Sequence, residues 1–388
     1  MVKRRAVSAA VSGAVVAAAA SLTERLPPLL ATIAVAFVLA GPAGAAHADA
    51  TDVISVQVAF QVSDTNGSAV PCFSDGATYT IRGHLTGPRS AFAPGQAPAV
   101  TMYLFGEDAG EWNWHLTSIP EYDYATEMAK LGQVSLTVDE LGYGASGHPP
   151  DGNLTCQGAE ADITHQIIQQ LRRGDYTLGT GPGISFSRVV LAGHDVGGAV
   201  AEIEAYSYSD IDALVLVTYA DQGFTPWIIE REAVAANDWC TLSPAQTPPG
   251  SPTSYVHFVS SQEYRTLLFY DADPRVIDTT DALRNPNPCG NIRSQPTAVF
   301  VDTARVSQIT VPVLIVFGNN DDTVVWTRQG EEQQEGNFSG SQDKTTVFIP
   351  NAAHFPMFER TAPDFREVVA SWLQRTVPAW TGRGPSSG

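Results

Sequence analysis

Lysine is almost missing from this chain. Among 388 residues only Lys3, Lys130 and Lys344 occur, and lysine plus arginine total 22 against 41 aspartate plus glutamate. A formal charge of −19 at pH 7 argues against nucleic acid and anionic membrane surfaces as partners. It also leaves a lysine-centred mechanism with few candidates. Cysteine is scarce: Cys72, Cys156, Cys240 and Cys289 are far apart and form no Cys-x-x-Cys pair, which speaks against zinc and dithiol redox chemistry. Nothing else in the chain points to a metal or a cofactor. No internal repeat is visible. Past residue 50 no apolar run approaches the roughly 20 residues of a membrane span. A serine elbow is missing too. The one formal Gly-x-Ser-x-Gly, Gly384-Pro385-Ser386-Ser387-Gly388, lies in the terminal tail and follows no strand.

What is present suits a secreted globular protein. The chain is 44% hydrophobic, with 33 glycines and 26 prolines, ample for a sizeable core. Lys3-Arg4-Arg5 precedes apolar stretches at 6–22 and 29–40, and small-residue sites follow at Ala46-His47-Ala48 and Ala48-Asp49-Ala50. That order reads as a secretory signal over 1–50 and export to the cell envelope or beyond. The rival is an uncleaved anchor, for which 29–40 is short, so no stable membrane association is expected after cleavage.

Residues 51–98 hold two expected strands, at 53–62 and 77–85, and a connector. They are edge strands of a larger sheet or a small separate module. From residue 99 strands and helices alternate, the pattern of a mostly parallel sheet covered on both faces. Strands are expected at 99–105, 133–138, 189–192, 213–217, 311–317 and 346–349, and helices at 121–131, 159–173 and 364–377. The alternation breaks at 221–310, a Pro-rich segment with two of the cysteines, and resumes over 311–380. A disordered tail is expected at 381–388. Four cysteines allow three pairings, which spacing does not decide. Cys240–Cys289 with Cys72–Cys156 is preferred because the first pair lies within one segment.

The most informative stretch is Val189-Val190-Leu191-Ala192-Gly193-His194-Asp195-Val196-Gly197-Gly198-Ala199. A buried strand turns sharply into a helix, with small residues flanking one reactive side chain, as in a nucleophile elbow. Asp195 stands at the tip. This block resembles the α/β-hydrolase superfamily, and its Gly-His-Asp-x-Gly-Gly form is similar to the aspartate-nucleophile branch of epoxide hydrolases and haloalkane dehalogenases. The resemblance implies an α/β-hydrolase fold, a mostly parallel central sheet flanked by helices, with 221–310 as an inserted cap. It also implies a nucleophile, an acid and a histidine in that order. Gly318-Asn319-Asn320-Asp321-Asp322 looks like the acid segment and points to Asp321, with Asp322 and Asp221 as rivals. His354 lies just past the last expected strand, where the family's histidine belongs. The Asp139-to-Ser146 stretch is similar to a structural loop of the family, so neither residue receives a catalytic role. Phe105-Gly106-Glu107-Asp108 occupies the place of the oxyanion loop, which makes the backbone N–H groups of Glu107 and Val196 the implied oxyanion hole. Phe105 replaces the usual histidine there.

A carboxylate nucleophile suits an alkyl electrophile. Asp195 would form an ester with the substrate carbon. Water activated by His354, held by the acid, would then hydrolyse it. Val196 follows the nucleophile where related dehalogenases carry a halide-holding tryptophan, whereas epoxide hydrolases accept an apolar residue. The expected substrate is therefore a small-molecule epoxide, with Tyr255, Tyr264 and Tyr270 as candidate cap acids. An ester or lactone hydrolase with a diverged elbow, and a non-catalytic binding scaffold, are the alternatives.

Overall fold

The computed structural model describes residues 52–93, 95–96, 98–242, 252–322 and 325–377. The expected signal at 1–50 and tail at 381–388 lie outside the described residues, as does most of the Pro-rich run at 243–252.

Eight principal strands form the sheet: β1 (Val53–Ser63), β2 (Thr78–Pro88), β3 (Ala99–Leu104), β4 (Ser135–Asp139), β5 (Arg188–His194), β6 (Ala213–Val217), β7 (Val313–Gly318) and β8 (Lys344–Ile349). Their spatial order is β8-β7-β6-β5-β3-β4-β2-β1, and a two-residue hairpin, Thr177–Leu178 with Gly181–Pro182, extends the β1 edge to make ten strands. Neighbours from β4 through β3 to β8 run parallel. The β1–β2 pair is antiparallel and joins the sheet through β2 against β4, with Arg82 opposite Asp139. The two expected N-terminal strands therefore belong to the large sheet.

The strand sequences match these places. All residues of β6 and β7 are buried, as expected of parallel strands covered on both faces, and both read as unbroken apolar runs. At the outer edge β1 alternates, burying Val58, Phe60 and Val62 while exposing Gln57 and Gln61, because only one of its faces is covered.

Helices α1 (Tyr124–Lys130), α2 (Gln157–Arg173), α3 (Val196–Tyr208), α8 (Arg328–Asn337) and α9 (Ala362–Thr376) flank the sheet; α4 (Pro226–Val234), α5 (Ser261–Leu267), α6 (Pro274–Leu283) and α7 (Cys289–Arg305) come from the 221–310 segment. In α2 the buried face carries Ile163, Ile167, Ile168 and Leu171, and Gly174 closes it in the left-handed conformation, φ 74°. The 221–310 segment, irregular in sequence pattern, is largely helical. Its short helices start at local caps: Thr225 with Pro226 at α4, a Ser260/Glu263 capping box at α5, and Asp273 with Pro274 at α6. Two disulfides brace the fold. Cys72–Cys156 ties the β1–β2 connection to the start of α2, and Cys240–Cys289 ties the stretch after α4 to the start of α7. No helix among the described residues is long and apolar enough to cross a membrane.

Candidate active site

The carboxyl ends of β3, β5, β7 and β8 lie along one edge of the sheet, with β6 between β5 and β7, and each delivers one part of the site. At the end of β5 the chain turns through Asp195, whose φ of 52° and ψ of −130° are strained for a residue with a side chain. Glycines make that turn possible. A Cβ at Gly193 would lie 2.1 Å from the Gly197 carbonyl oxygen, and one at Gly197 would lie 2.5 Å from the Phe105 oxygen. Gly106 is equally constrained, since a Cβ there would approach Asp195 Cβ and Oδ2 to 2.5 Å.

Asp195, His354 and Asp321 meet. The Glu107 backbone N–H donates to Asp195 Oδ2 at 3.2 Å. The other oxygen, Oδ1, lies 3.7 Å from His354 Nε2, and His354 Nδ1 lies 3.2 Å from Asp321 Oδ2. Asp321 is 1% exposed and His354 is 5% exposed at the side chain. Burial opposes a charge on His354, but the Asp321 and Asp195 carboxylates outweigh it and push the imidazole up to about 10. Burial also works against the Asp195 charge. Its contacts with His354 nevertheless hold that carboxyl below the usual range. For Asp321 burial prevails and lifts the carboxyl above its ordinary value. His354 thus stands between the Asp195 and Asp321 carboxyl groups with its imidazole biased toward the charged form.

The rival acids are placed elsewhere. Asp322 pairs with Arg328 at 3.1 Å. Asp221 accepts hydrogen bonds from Gln334 and Asn337 through Oδ2, inside a buried group with Glu202 and Asp302. That group, and a second made by His165, Glu204 and Asp210, bring potential metal-ligand atoms within 4.8 Å of one another. Tyr206 and Tyr219 donate to Asp302 and Gln334 Nε2 donates to Glu202 Oε1, while Glu202 Oε2 and Asp221 Oδ1 have no hydrogen-bond partner among the described residues.

Other residues named from sequence have supporting contacts. His194 Nε2 lies 2.8 Å from the His354 carbonyl oxygen, to which Thr218 Oγ1 also donates at 3.0 Å. Burial drives His194 down to about 3, so it is neutral and donates from Nε2. Where the usual histidine is replaced by Phe105, the loop is held instead by Glu140, whose Oε1 accepts the Phe105 N–H at 2.9 Å. Asp139 accepts from the Glu111 and Ala145 N–H groups, and Ser146 Oγ donates to the Asp139 carbonyl. Val196 lines the cavity directly after Asp195.

Asp108, unexpected beside an oxyanion loop, ties that loop to the covering helices. It is 2% exposed and accepts from the Phe258 and Val259 N–H groups, from Asn287 Nδ2 and from Arg284 Nη1 at 2.8, 3.2, 2.8 and 2.9 Å. Of the three tyrosines named, Tyr255 donates to the Pro149 carbonyl at 2.9 Å and Tyr270 is 58% exposed. Only Tyr264 faces the cavity.

That cavity, about 360 Å³, lies between Asp195 and helices α4, α5 and α7. Its lining is mostly apolar, with the acids Glu107, Asp108 and Glu232 besides Asp195. Glu107 was findable, because it follows the oxyanion glycine. Glu232 carries no sequence signal, since only the packing of α4 brings it to the site.

A model of the alpha/beta hydrolase family matches residues 92–368. The chain belongs to that family. No curated protein matches it in sequence. Among solved structures, a thermophilic esterase from Thermogutta terrifontis aligns with a TM-score of 0.56 at 18% identity, over 82% of this chain and 99% of its own. An esterase from Exiguobacterium antarcticum aligns at 0.53 and 18% identity, over 80% and 98%. A bromoperoxidase from Bacillus anthracis aligns at 0.53 and 16% identity, over 77% and 96%. At such identities the likeness is one of fold, and it matches the fold the elbow implied.

Proposed function

We propose that this hydrolase is a secreted epoxide hydrolase with Asp195 as nucleophile, His354 as base and Asp321 as the acid that orients it. The observation that carries this reading is the contact between Asp195 Oδ2 and the Glu107 N–H at 3.2 Å. In acyl transfer that donor must receive the carbonyl oxygen of the substrate. Here the nucleophile's own oxygen occupies it. This suits a reaction in which the Asp195 carboxyl is itself the acyl group under attack.

Two steps follow. Asp195 Oδ1 attacks an epoxide carbon and becomes an ester. Esterification removes the negative charge beside His354, so the imidazole loses one of the two carboxylates that hold its proton. It gives that proton up to water in the cavity, and the neutral imidazole then takes one from the water that attacks Asp195 Cγ and passes it to the departing oxygen. The Glu107 N–H, with that of Val196, holds the oxyanion on Oδ2, and the diol leaves with Oδ1.

Export is supported by the basic, apolar and small-residue order at the start of the chain and by two disulfides. The esterase neighbours favour a second reading, an ester or lactone hydrolase. A panel of epoxides and activated esters separates the two. Diol formation that vanishes in Asp195→Asn supports the first, and ester cleavage without epoxide turnover replaces it by the second.

A further inference from the structure

The scheme above leaves two cavity carboxyl groups unused. Glu107 follows the oxyanion glycine, and Glu232 stands on α4 across the cavity. One oxygen of each, Oε2 of Glu107 and Oε1 of Glu232, is buried without a hydrogen-bond partner. Among the described residues no lysine or arginine lines the cavity, whose walls include Phe224, Trp227, Ile228, Phe258, Val299 and Trp326. Two further carboxylates in such surroundings, beside an ionised Asp195, carry a heavy desolvation and repulsion cost. Both groups hold protons instead. Burial, with the charges of Glu232 and Asp195, raises Glu107 well above its ordinary range. Burial and Asp195 raise Glu232 to about 8. A protonated carboxyl is an O–H donor.

Epoxide opening needs such a donor. Backside attack by Asp195 sends the departing oxygen to the far side of the carbon, toward the helices that close the cavity, α4 among them. The tyrosines are poorly suited. Tyr255 and Tyr270 are turned away, and the Tyr264 hydroxyl, buried without a hydrogen-bond partner among the described residues, is made a weaker acid than an ordinary phenol by that burial, which outweighs the Arg284 guanidinium 5.1 Å over its ring.

We propose that Glu232 is the acid that protonates the departing oxygen of a neutral, largely apolar epoxide. This rests on the aspartate-nucleophile reading. Asp195 Oδ1 forms a bond to the epoxide carbon as the ring carbon–oxygen bond breaks. The electron pair goes to that oxygen, which takes the Glu232 proton and leaves a carboxylate. Hydrolysis of the ester leaves a proton on the Asp195 carboxyl, and this returns to Glu232 through water. The other charged groups at the cavity are Asp108, paired with Arg284 at 2.9 Å, and His354; on Glu232's own helix Arg231 lies 3.5 Å from Glu263 and 4.0 Å from Glu230.

The test uses the full mature chain carrying His354→Gln, so that the ester accumulates, with intact-mass and peptide analysis at Asp195. Two electrophiles are compared: styrene oxide, whose oxygen needs a proton, and phenacyl bromide, whose bromide does not. Adding Glu232→Gln is expected to slow alkylation by styrene oxide about 100-fold or more. Alkylation by phenacyl bromide is expected to stay within about 3-fold, which also shows that the site is intact. The decline of the epoxide reaction above pH ~8 disappears with it, and Tyr264→Phe changes neither rate. Epoxide alkylation that survives Glu232→Gln, or that is lost only in Glu107→Gln, overturns the assignment alone. So does an equal loss with both electrophiles. No adduct at Asp195 with either electrophile in the His354→Gln parent overturns the aspartate-nucleophile reading and the donor with it.

Discussion

Removing the charge of Asp195 should return His354 to the titration range of a working base. The His354 imidazole is held at about 10 against its own burial by Asp321 and Asp195, and Asp195 Oδ1 stands 3.7 Å from Nε2. At about 4 Å a unit charge is worth roughly 1 kcal/mol in bulk water and about 4 kcal/mol at an effective dielectric near 20. With 1.36 kcal/mol per pH unit, loss of the Asp195 charge lowers the His354 pKa by about one to three pH units, to roughly 7–9. Asp195→Asn imitates electrostatically what alkylation does in the reaction. The assay is an NMR titration of the imidazole in wild type and Asp195→Asn, with His354→Gln to assign the signal. A pKa that moves by less than about half a pH unit, or that rises, refutes the coupling on which the second step depends. The same ion pairs bear on stability. With the folded pKa above the unfolded value near 6.5, their contribution is complete below about pH 6.5 and is lost as pH rises through about 10. The alkaline loss in a urea-unfolding series should therefore be smaller in Asp195→Asn.

Three further outcomes follow from the geometry. Gly106→Ala places a Cβ 2.5 Å from the Asp195 carboxyl, so turnover should fall about 100-fold or more through misplacement of the nucleophile, with a stability loss of about 1–3 kcal/mol by urea unfolding. Asp321→Asn should lower kcat by roughly 10³–10⁴, because an amide fails to hold the imidazole tautomer, whereas Asp221→Asn, with its partners Gln334 and Asn337, should change kcat only a few-fold. Asp108→Ala strands the Phe258 and Val259 N–H groups and takes one partner from Arg284, which keeps Asp281 and the Val259 carbonyl; at about 1–3 kcal/mol for each buried donor left unpaired, this should destabilise the fold and open the covering helices to limited proteolysis.

The parts legible in the sequence are those built from short local rules. The apolar runs at 213–217 and 313–318 are buried on both faces, so hydrophobicity alone marks them as strands. The elbow shows itself because Gly193, Gly197 and Gly198 are steric requirements of one tight turn, written within six residues. Asp321 and His354 stand out because each follows a strand at the same sheet edge. The covering helices are less legible, because Pro226 and Pro274 read as breaks whereas each starts a helix. The Ser260-to-Glu263 capping box was a usable signal. Asp108 and Glu232 were beyond reach. The first answers to Phe258, Val259, Arg284 and Asn287 at the other end of a loop of some 150 residues or more, and the second becomes a site residue only through the packing of α4.

The central claim, that the Asp195 carboxyl is alkylated and then hydrolysed, is tested most directly by one turnover in H₂¹⁸O with enzyme in excess over an epoxide. The account predicts an unlabelled diol and a peptide containing Asp195 heavier by one ¹⁸O, since the diol takes its new oxygen from the carboxyl and water replaces it. Label in the diol of that first turnover, with an unlabelled Asp195, would mean that water attacks the epoxide directly and would contradict the account.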